Sequence, residues 1–134
     1  MTERLNIVLA QLRQRVGELV GNADAMLAHR AEAAAMGADL IAFPEMQLIG
    51  YPAEDLIEKP ALAARAAEQL ARMAAATADG GPAMLVGTLH KDETGALYNA
   101  YALLEGGQVA AMRLKHELPN YGTFDEMRLF QSGP

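Results

Sequence analysis

The sequence has 134 residues and a formal net charge of -6, from 17 acidic and 11 basic side chains, and it contains no cysteine. This length suffices for one domain with a buried core, while the missing cysteine excludes disulfides and cysteine zinc sites. The net negative charge argues against a nucleic-acid partner. The chain has no apolar run of the roughly 18 residues that a membrane span requires, and it has no signal-peptide pattern. We therefore expect a soluble cytoplasmic protein.

The first predicted elements form a strand-helix-strand unit. Leu5–Leu12 is a nearly continuous apolar run, typical of a strand that is covered on both faces. Asn22 is a suitable N-cap for a helix that continues to about Met36, and Gly37 suits its C-terminal stop. The apolar run at Asp39–Phe43 predicts the next strand. A strand, a helix and a strand within this distance indicate a βαβ unit with parallel strands.

The second part of the chain predicts one helix and then only strands. Pro60–Thr77 carries a helical stripe of Leu, Ala and Met, and Pro is favoured at the first helical turn. Three strands are predicted to follow, at Ala83–His90, Leu97–Leu104 and Gln108–Leu114. The pair Gly106 and Gly107 predicts a tight hairpin turn between the last two. The resulting order, β-α-β-α-β-β-β, indicates a layered α/β fold.

Two charged residues directly follow predicted strands. Pro44 cannot donate a backbone hydrogen bond, so the strand should end there and leave Glu45 at its carboxyl end, where α/β folds usually place their sites. Lys115 follows the last strand in the same way, and Met46–Glu58 should form a loop over the strand end because it is too polar and broken for a core element. A solvated loop glutamate and an ordinary salt bridge remain the alternatives for this pair.

The motifs around these residues resemble those of the nitrilase, or carbon-nitrogen hydrolase, superfamily. The resemblance rests on Phe43-Pro44-Glu45 and on the loop Gly50–Leu56. The segment Lys115–Glu126 is most similar to one branch, the amidase domain of glutamine-dependent NAD synthetases. The resemblance to this family implies an α-β-β-α sandwich of the nitrilase type, of which this chain would be only the N-terminal portion.

The resemblance also implies roles for four residues. Glu45 matches the general base of a Glu-Lys-Cys triad, Lys115 matches the triad lysine and Glu126 matches a second acid of the family. Tyr121 matches a tyrosine of the glutamine pocket. The cysteine nucleophile is absent here and would lie beyond Pro134, so we expect no activity from the chain alone.

The implied reaction is hydrolysis of the glutamine side-chain amide. The ammonia would pass to an absent synthetase domain, which uses ATP and magnesium to convert deamido-NAD to NAD. No cofactor is expected in this chain itself, and its histidines lack metal-ligand spacing. An uncovered sheet face would favour a homo-oligomer. The alternatives are a stand-alone amidase of the superfamily and a non-catalytic half-domain used for assembly.

Overall fold

A computed structural model describes residues 3–50, 59–116, 120–121, 124–125 and 130–133. The elements in chain order are β1 (Ile7–Leu9), α1 (Leu19–Ala35), β2 (Leu40–Ala42), α2 (Pro60–Ala76), a 3₁₀ turn (Thr77–Asp79), β3 (Ala83–Lys91), β4 (Leu97–Glu105) and β5 (Gln108–Leu114). Two short strands, β6 (Asn120–Tyr121) and β7 (Phe124–Asp125), pair with each other. The predicted order is therefore confirmed, with a short additional hairpin after it.

The five longer strands form one mixed sheet in the order β1-β2-β3-β4-β5. Strands β1, β2 and β3 are parallel, whereas β4 is antiparallel to both of its neighbours. The parallel pairing confirms the predicted βαβ unit, in which α1 connects β1 to β2. Gly106 and Gly107, at φ of 63° and 86°, make the turn between β4 and β5. Because β4 reverses the direction of the chain and β5 reverses it again, β5 runs in the same direction as β2.

Helix α1 begins at Leu19, and the prediction that Asn22 is its N-cap was wrong. Asn22 lies inside the helix and is only 5% exposed. Its side-chain amide donates to the carbonyls of Arg15 (2.8 Å) and Leu48 (3.0 Å), and its Oδ1 accepts the N–H of Arg15 at 2.9 Å. The side chain therefore makes hydrogen bonds to backbone groups of two connecting segments, as asparagine side chains often do when they do not cap a helix.

Both helices lie on one face of the sheet. They contact each other, α1 contacts β2, and α2 contacts β3, β4 and β5. Ile41, Met84 and Leu104 are register partners on this face, and all three are buried. None of the helices in the described part of the chain is long and apolar enough to cross a lipid bilayer.

The opposite face of the sheet is exposed at β1, whereas Leu89 and Asn99 on the same face are buried. Leu9 is a register partner of Ala42 on that face and is 77% exposed, and Ile7 is 49% exposed. The prediction that the first strand is covered on both faces is therefore wrong for the described residues, and β1 is also shorter than predicted. One helix layer and one sheet layer are what the N-terminal portion of an α-β-β-α sandwich should contain.

A buried arginine joins α1 to the turn that precedes β3. Arg30 is 6% exposed and donates through Nε to the carbonyl of Pro82 at 2.8 Å. Its two terminal nitrogens bind both carboxylate oxygens of Asp79, at 3.0 and 2.7 Å. The hydrogen bond with Arg30, supported by the N–H of Gly81, holds the pKa of Asp79 well below its usual range. Bidentate pairs of this kind are stronger and geometrically more specific than single hydrogen bonds.

Candidate active site

Glu45 stands where the chain leaves β2 and turns back. The N–H of Phe43 still donates to Leu85 of β3 at 3.0 Å, and after Pro44 the chain reverses, with Gln47 donating to Pro44 (3.3 Å) and Gly50 donating to Met46 (2.8 Å). Met46 has a φ of 56°, an uncommon value for a residue with a side chain. The sequence thus ends the strand at the predicted proline and presents Glu45 at its carboxyl end.

Residues 46–49 differ from the polar loop that the sequence predicts. Met46, Leu48 and Ile49 are fully buried, and Gln47 is 1% exposed. They fold back onto β3, where the N–H of Leu48 donates to the carbonyl of Gly87 at 3.1 Å. The apolar side chains enter the core because this short turn packs on the sheet, which a composition argument over the whole loop could not show. Residues 51–58 lie outside the described residues.

Gly87 allows the turn to lie directly on β3. A Cβ at Gly87 would lie 2.4 Å from the nitrogen of Met46, 2.4 Å from the carbonyl oxygen of Pro44 and 2.8 Å from the carbonyl carbon of Glu45. All three are backbone atoms, so they cannot rotate away as a flexible side chain would. The position of Glu45 therefore depends on a glycine in the neighbouring strand, as expected where two backbones approach closely.

Lys115 follows β5 and reaches Glu45. Its Nζ donates to Oε1 of Glu45, and its backbone N–H donates to the carbonyl of Asn99 at 2.8 Å. The side chains of Lys115 and Glu45 are 29% and 43% exposed. The two residues meet because β2 and β5 run in the same direction, so both strands end at the same edge of the sheet. The two residues that match the triad base and lysine are therefore in contact.

Two further residues hold this site, and the sequence analysis missed both. Asn99 of β4 is 3% exposed, and its Nδ2 donates to Oε1 of Glu45 at 2.7 Å. The hydroxyl of Tyr101, also in β4, donates to the carbonyl of Phe43 at 2.7 Å, and burial raises its pKa. Asparagine is depleted from strand interiors. Its presence within an apolar strand was the signal that could have identified Asn99.

A cavity of about 340 Å³ lies beside the pair. Its polar lining comes from Glu45, Asn99, Tyr101, Arg113 and Lys115. The remaining lining comes from β4 and β5. Ligand cavities of this size and kind, with a few convergent polar groups on an apolar wall, are typical binding sites.

The last described segment, 130–133, packs beside the end of β5. The N–H of Gly133 donates to the carbonyl of Lys115 at 2.8 Å, and the ring Nδ1 of His116 lies 2.6 Å from the carbonyl of Gly133. A Cβ at Gly133 would lie 2.6 Å from the carbonyl oxygen of Leu114. Phe130 is 5% exposed and belongs to the core. The backbone on both sides of Lys115 is therefore fixed by neighbouring segments.

Two of the four predicted site residues cannot be placed with the pair. The backbone of Tyr121 forms β6, but its side chain lies outside the described part of the structure. Glu126 also lies outside it. Among the described residues, no group of three His, Cys, Asp or Glu side chains could hold a metal ion.

The arrangement combines a proton acceptor with a fixed cation. An ammonium about 4 Å from a developing negative oxygen stabilises it by about 4 kcal/mol at an effective dielectric near 20. A partly exposed ion pair contributes only about 0–1 kcal/mol to folding stability. Lys115 and Asn99 both donate to Glu45, and the backbone at Glu45 packs closely against Gly87, so the carboxylate is held beside the cation.

Comparison with known proteins identifies the family. The family model described as carbon-nitrogen hydrolase matches residues 6–134. The chain is 48% identical to the glutamine-dependent NAD(+) synthetase of Rhodobacter capsulatus over 134 residues, which is 100% of this chain and 24% of that protein. A solved glutamine-dependent NAD+ synthetase from Acinetobacter baumannii matches with a TM-score of 0.90 and 39% identity, over 96% of this chain and 24% of that protein.

A smaller enzyme shares the same fold. A solved amidase from Nesterenkonia sp. matches with a TM-score of 0.80 and 25% identity, over 97% of this chain and 48% of the amidase. The glutamine-dependent NAD(+) synthetase of Acinetobacter baylyi is 41% identical over 130 residues, which is 95% of this chain and 23% of that protein. The chain thus spans about a quarter of the length of the curated relatives that it matches. The family match covers nearly the whole chain, and the chain belongs to the carbon-nitrogen hydrolase family.

Proposed function

We propose that this chain is part of the glutamine-hydrolysing amidase of a glutamine-dependent NAD synthetase. The observation that carries the proposal is the contact of Glu45 with Lys115 beside a cavity, in a chain of the carbon-nitrogen hydrolase family. The similarity to proteins named glutamine-dependent NAD(+) synthetases supports the choice of glutamine as the substrate.

In the proposed reaction, Glu45 is the general base and Lys115 stabilises negative charge. A cysteine thiol adds to the carboxamide carbon of glutamine and gives its proton to Glu45, which passes it to the departing nitrogen. Ammonia leaves and a thioester remains. Water then hydrolyses the thioester to glutamate, and the thiol is restored. This chain contains no cysteine, so the nucleophile must come from outside these 134 residues.

The remaining predicted roles belong to the same proposal. We assign Glu126 as a second acid near the lysine and Tyr121 to the glutamine pocket, because both lie in the segment Lys115–Glu126 that resembles the family. Replacement of Tyr121 by Phe should then raise KM for glutamine more than it lowers kcat. A variant with an unchanged KM would remove Tyr121 from the pocket.

The partners of the whole enzyme follow from the same assignment. Ammonia would be used elsewhere to convert deamido-NAD to NAD with ATP and magnesium. No step of the proposed amidase reaction needs the metal. We place the reaction in the cytoplasm, because glutamine and the nucleotide substrates are found there.

A chimera tests the function. Residues 1–134 replace the matching segment of the Rhodobacter capsulatus enzyme, and release of glutamate and ammonia from glutamine is measured. The chimera should hydrolyse glutamine, and Glu45→Gln or Lys115→Met should each lower kcat by about a hundredfold or more. Glu68→Gln and Lys91→Met, at exposed positions that do not line the cavity, are the matched controls and should leave kcat unchanged.

The same chimera separates the alternatives. A stand-alone amidase would hydrolyse simple amides as well as glutamine, and its ammonia would not reach deamido-NAD. An assembly piece would fold in the chimera without supporting hydrolysis, although the parent enzyme is active. Full activity in Glu45→Gln would contradict the assigned site whatever the substrate.

A further inference from the structure

We propose that Asn99 is a positioning residue that fixes Glu45 and Lys115 in one arrangement and makes Oε2 of Glu45 the oxygen that accepts the proton. The inference rests on the proposed function, because it assigns a role within that reaction. It concerns a residue of β4, an interior strand of the sheet, that is 54 residues from Glu45 in the sequence.

Asn99 contacts both residues through different groups. Its side-chain Nδ2 donates to Oε1 of Glu45 at 2.7 Å, and its backbone carbonyl accepts the N–H of Lys115 at 2.8 Å. Asn99 is 3% exposed and is paired in register with Leu89 of β3. A side chain fixed by a central strand can hold the carboxylate more rigidly than a loop residue could.

The two hydrogen bonds on Glu45 end on the same oxygen. Lys115 and Asn99 both donate to Oε1, and Oε2 receives no hydrogen bond from any other described residue. Donors that stabilise the charge on one carboxylate oxygen make that oxygen a poorer proton acceptor. Oε2 is therefore the acceptor for the thiol proton, while Oε1 anchors the carboxylate.

The residue type at position 99 is specific to this role. Alanine would remove the donor and leave Glu45 held by Lys115. Aspartate has nearly the same shape but would place a second carboxylate at hydrogen-bond distance from Glu45, where two negative charges repel each other. The two variants thus remove the same bond in different ways, and the aspartate variant keeps the volume of the side chain.

The hydrogen bond is tested first in the 134-residue chain itself. Exchange of the Asn99 side-chain amide protons with solvent is followed by NMR in the wild type and in Glu45→Ala. One of these protons should exchange about tenfold or more faster in Glu45→Ala, because a bond to a charged acceptor is lost. The side chain of Asn6, which donates to Gly37 at 3.4 Å, is the internal control. Equal exchange of the Asn99 protons in both proteins would overturn the proposed contact.

The role in catalysis is tested in the chimera. Asn99→Ala and Asn99→Asp should each lower kcat by about 10- to 100-fold, with KM for glutamine changed less than about threefold, because the carboxylate is misplaced and the pocket is kept. Asn6→Ala should leave both constants unchanged. Restored activity in Asn99→His, which can again donate to Oε1, would support positioning over a purely structural role.

The outcomes separate this inference from the function on which it rests. A wild-type chimera that hydrolyses glutamine, with Asn99→Ala and Asn99→Asp equally active, overturns the role of Asn99 and leaves the function intact. A wild-type chimera without hydrolysis overturns the function, and the amide exchange then decides the contact alone. If both variants unfold, as shown by circular dichroism, position 99 is structural and the positioning role fails.

Discussion

Replacement of Gly87 by alanine should destabilise the chain and disturb the placement of Glu45. Gly87 lies in β3 beneath the turn that carries Glu45, and its φ is not positive. Alanine can therefore adopt the backbone conformation without strain. The effect of the substitution must come from the space that the new methyl group needs.

The distances set the size of the effect. The new Cβ would lie 2.4 Å from two backbone atoms of the turn, about 1 Å closer than the 3.4 Å of an ordinary contact. Overpacking of this kind costs about 1–3 kcal/mol. In the variant, the hydrogen bond from Leu48 to the carbonyl of residue 87 would also be strained. Its loss would add about 0.5–1.5 kcal/mol to the destabilisation. Alanine also restricts the unfolded chain, which stabilises the fold by about 0.4–1 kcal/mol. The free energy of unfolding should therefore fall by about 2 kcal/mol in total.

Urea unfolding of the 134-residue chain measures this loss, and thermal unfolding should show Tm lowered by roughly 5–10 °C. Gly21→Ala is the matched control. Gly21 lies inside α1, and a Cβ there has only Glu18 Oε2 within 4 Å, at 3.8 Å. The control should raise the free energy of unfolding by about 0.5–1 kcal/mol, since glycine is a poor helix former.

The two substitutions thus make the same chemical change with opposite expected signs. In the chimera, Gly87→Ala should also lower kcat by about a hundredfold, because the backbone at Glu45 must move. A Gly87→Ala chain that is as stable as the wild type would refute the close packing of the turn on β3. Normal kcat together with lost stability would show that Glu45 keeps its position when the turn moves.

Three further predictions concern pH, activity and association. The Arg30 hydrogen bond lowers the pKa of Asp79 in the folded chain. The ion pair therefore stabilises the fold above the unfolded-state pKa of about 3.9, and this stabilisation is lost as the pH falls below that value. Asp79→Asn should make the free energy of unfolding decline less steeply at acid pH. The chain alone should release no ammonia from glutamine, because it has no thiol, and turnover that survives Glu45→Gln would contradict this. Leu9 is 77% exposed on the β1 part of the sheet face opposite the helices. The chain should therefore self-associate with rising concentration in analytical ultracentrifugation, and Leu9→Lys should weaken that association; a chain that stays monomeric at high concentration would exclude it.

The meeting of Glu45 and Lys115 could be predicted because it depends on strand order and direction. Both residues directly follow an apolar run, and strand ends that point the same way lie at one edge of a sheet. The two reversals through β4 and β5 return the chain to the direction of β2. The hairpin glycines at 106 and 107 made the second reversal visible in the sequence.

The contacts that orient Glu45 could not be predicted, because they depend on register. Asn99 lies beside Glu45 only because β4 pairs with β3 so that Asn99 is opposite Leu89. A shift of one residue would turn the amide to the other face of the sheet. Gly87 was equally hidden, since nothing in a strand sequence tells which residue a distant turn will approach. The error at Asn22 has the same origin, because its partners are distant in the sequence.

The placement of Glu45 is the product of three strands within a single sheet layer. β3 supplies the space at Gly87, β4 supplies the donors of Asn99 and Tyr101, and the end of β5 supplies the cation of Lys115. All of these contacts are made by described residues of this chain, which therefore orient the carboxylate and the cation without any further segment. Donors and charges that are already oriented need no rearrangement during the reaction, which is the main source of electrostatic catalysis. In the proposed reaction, a thiol at this edge of the sheet would therefore meet a carboxylate and a cation that are already in position.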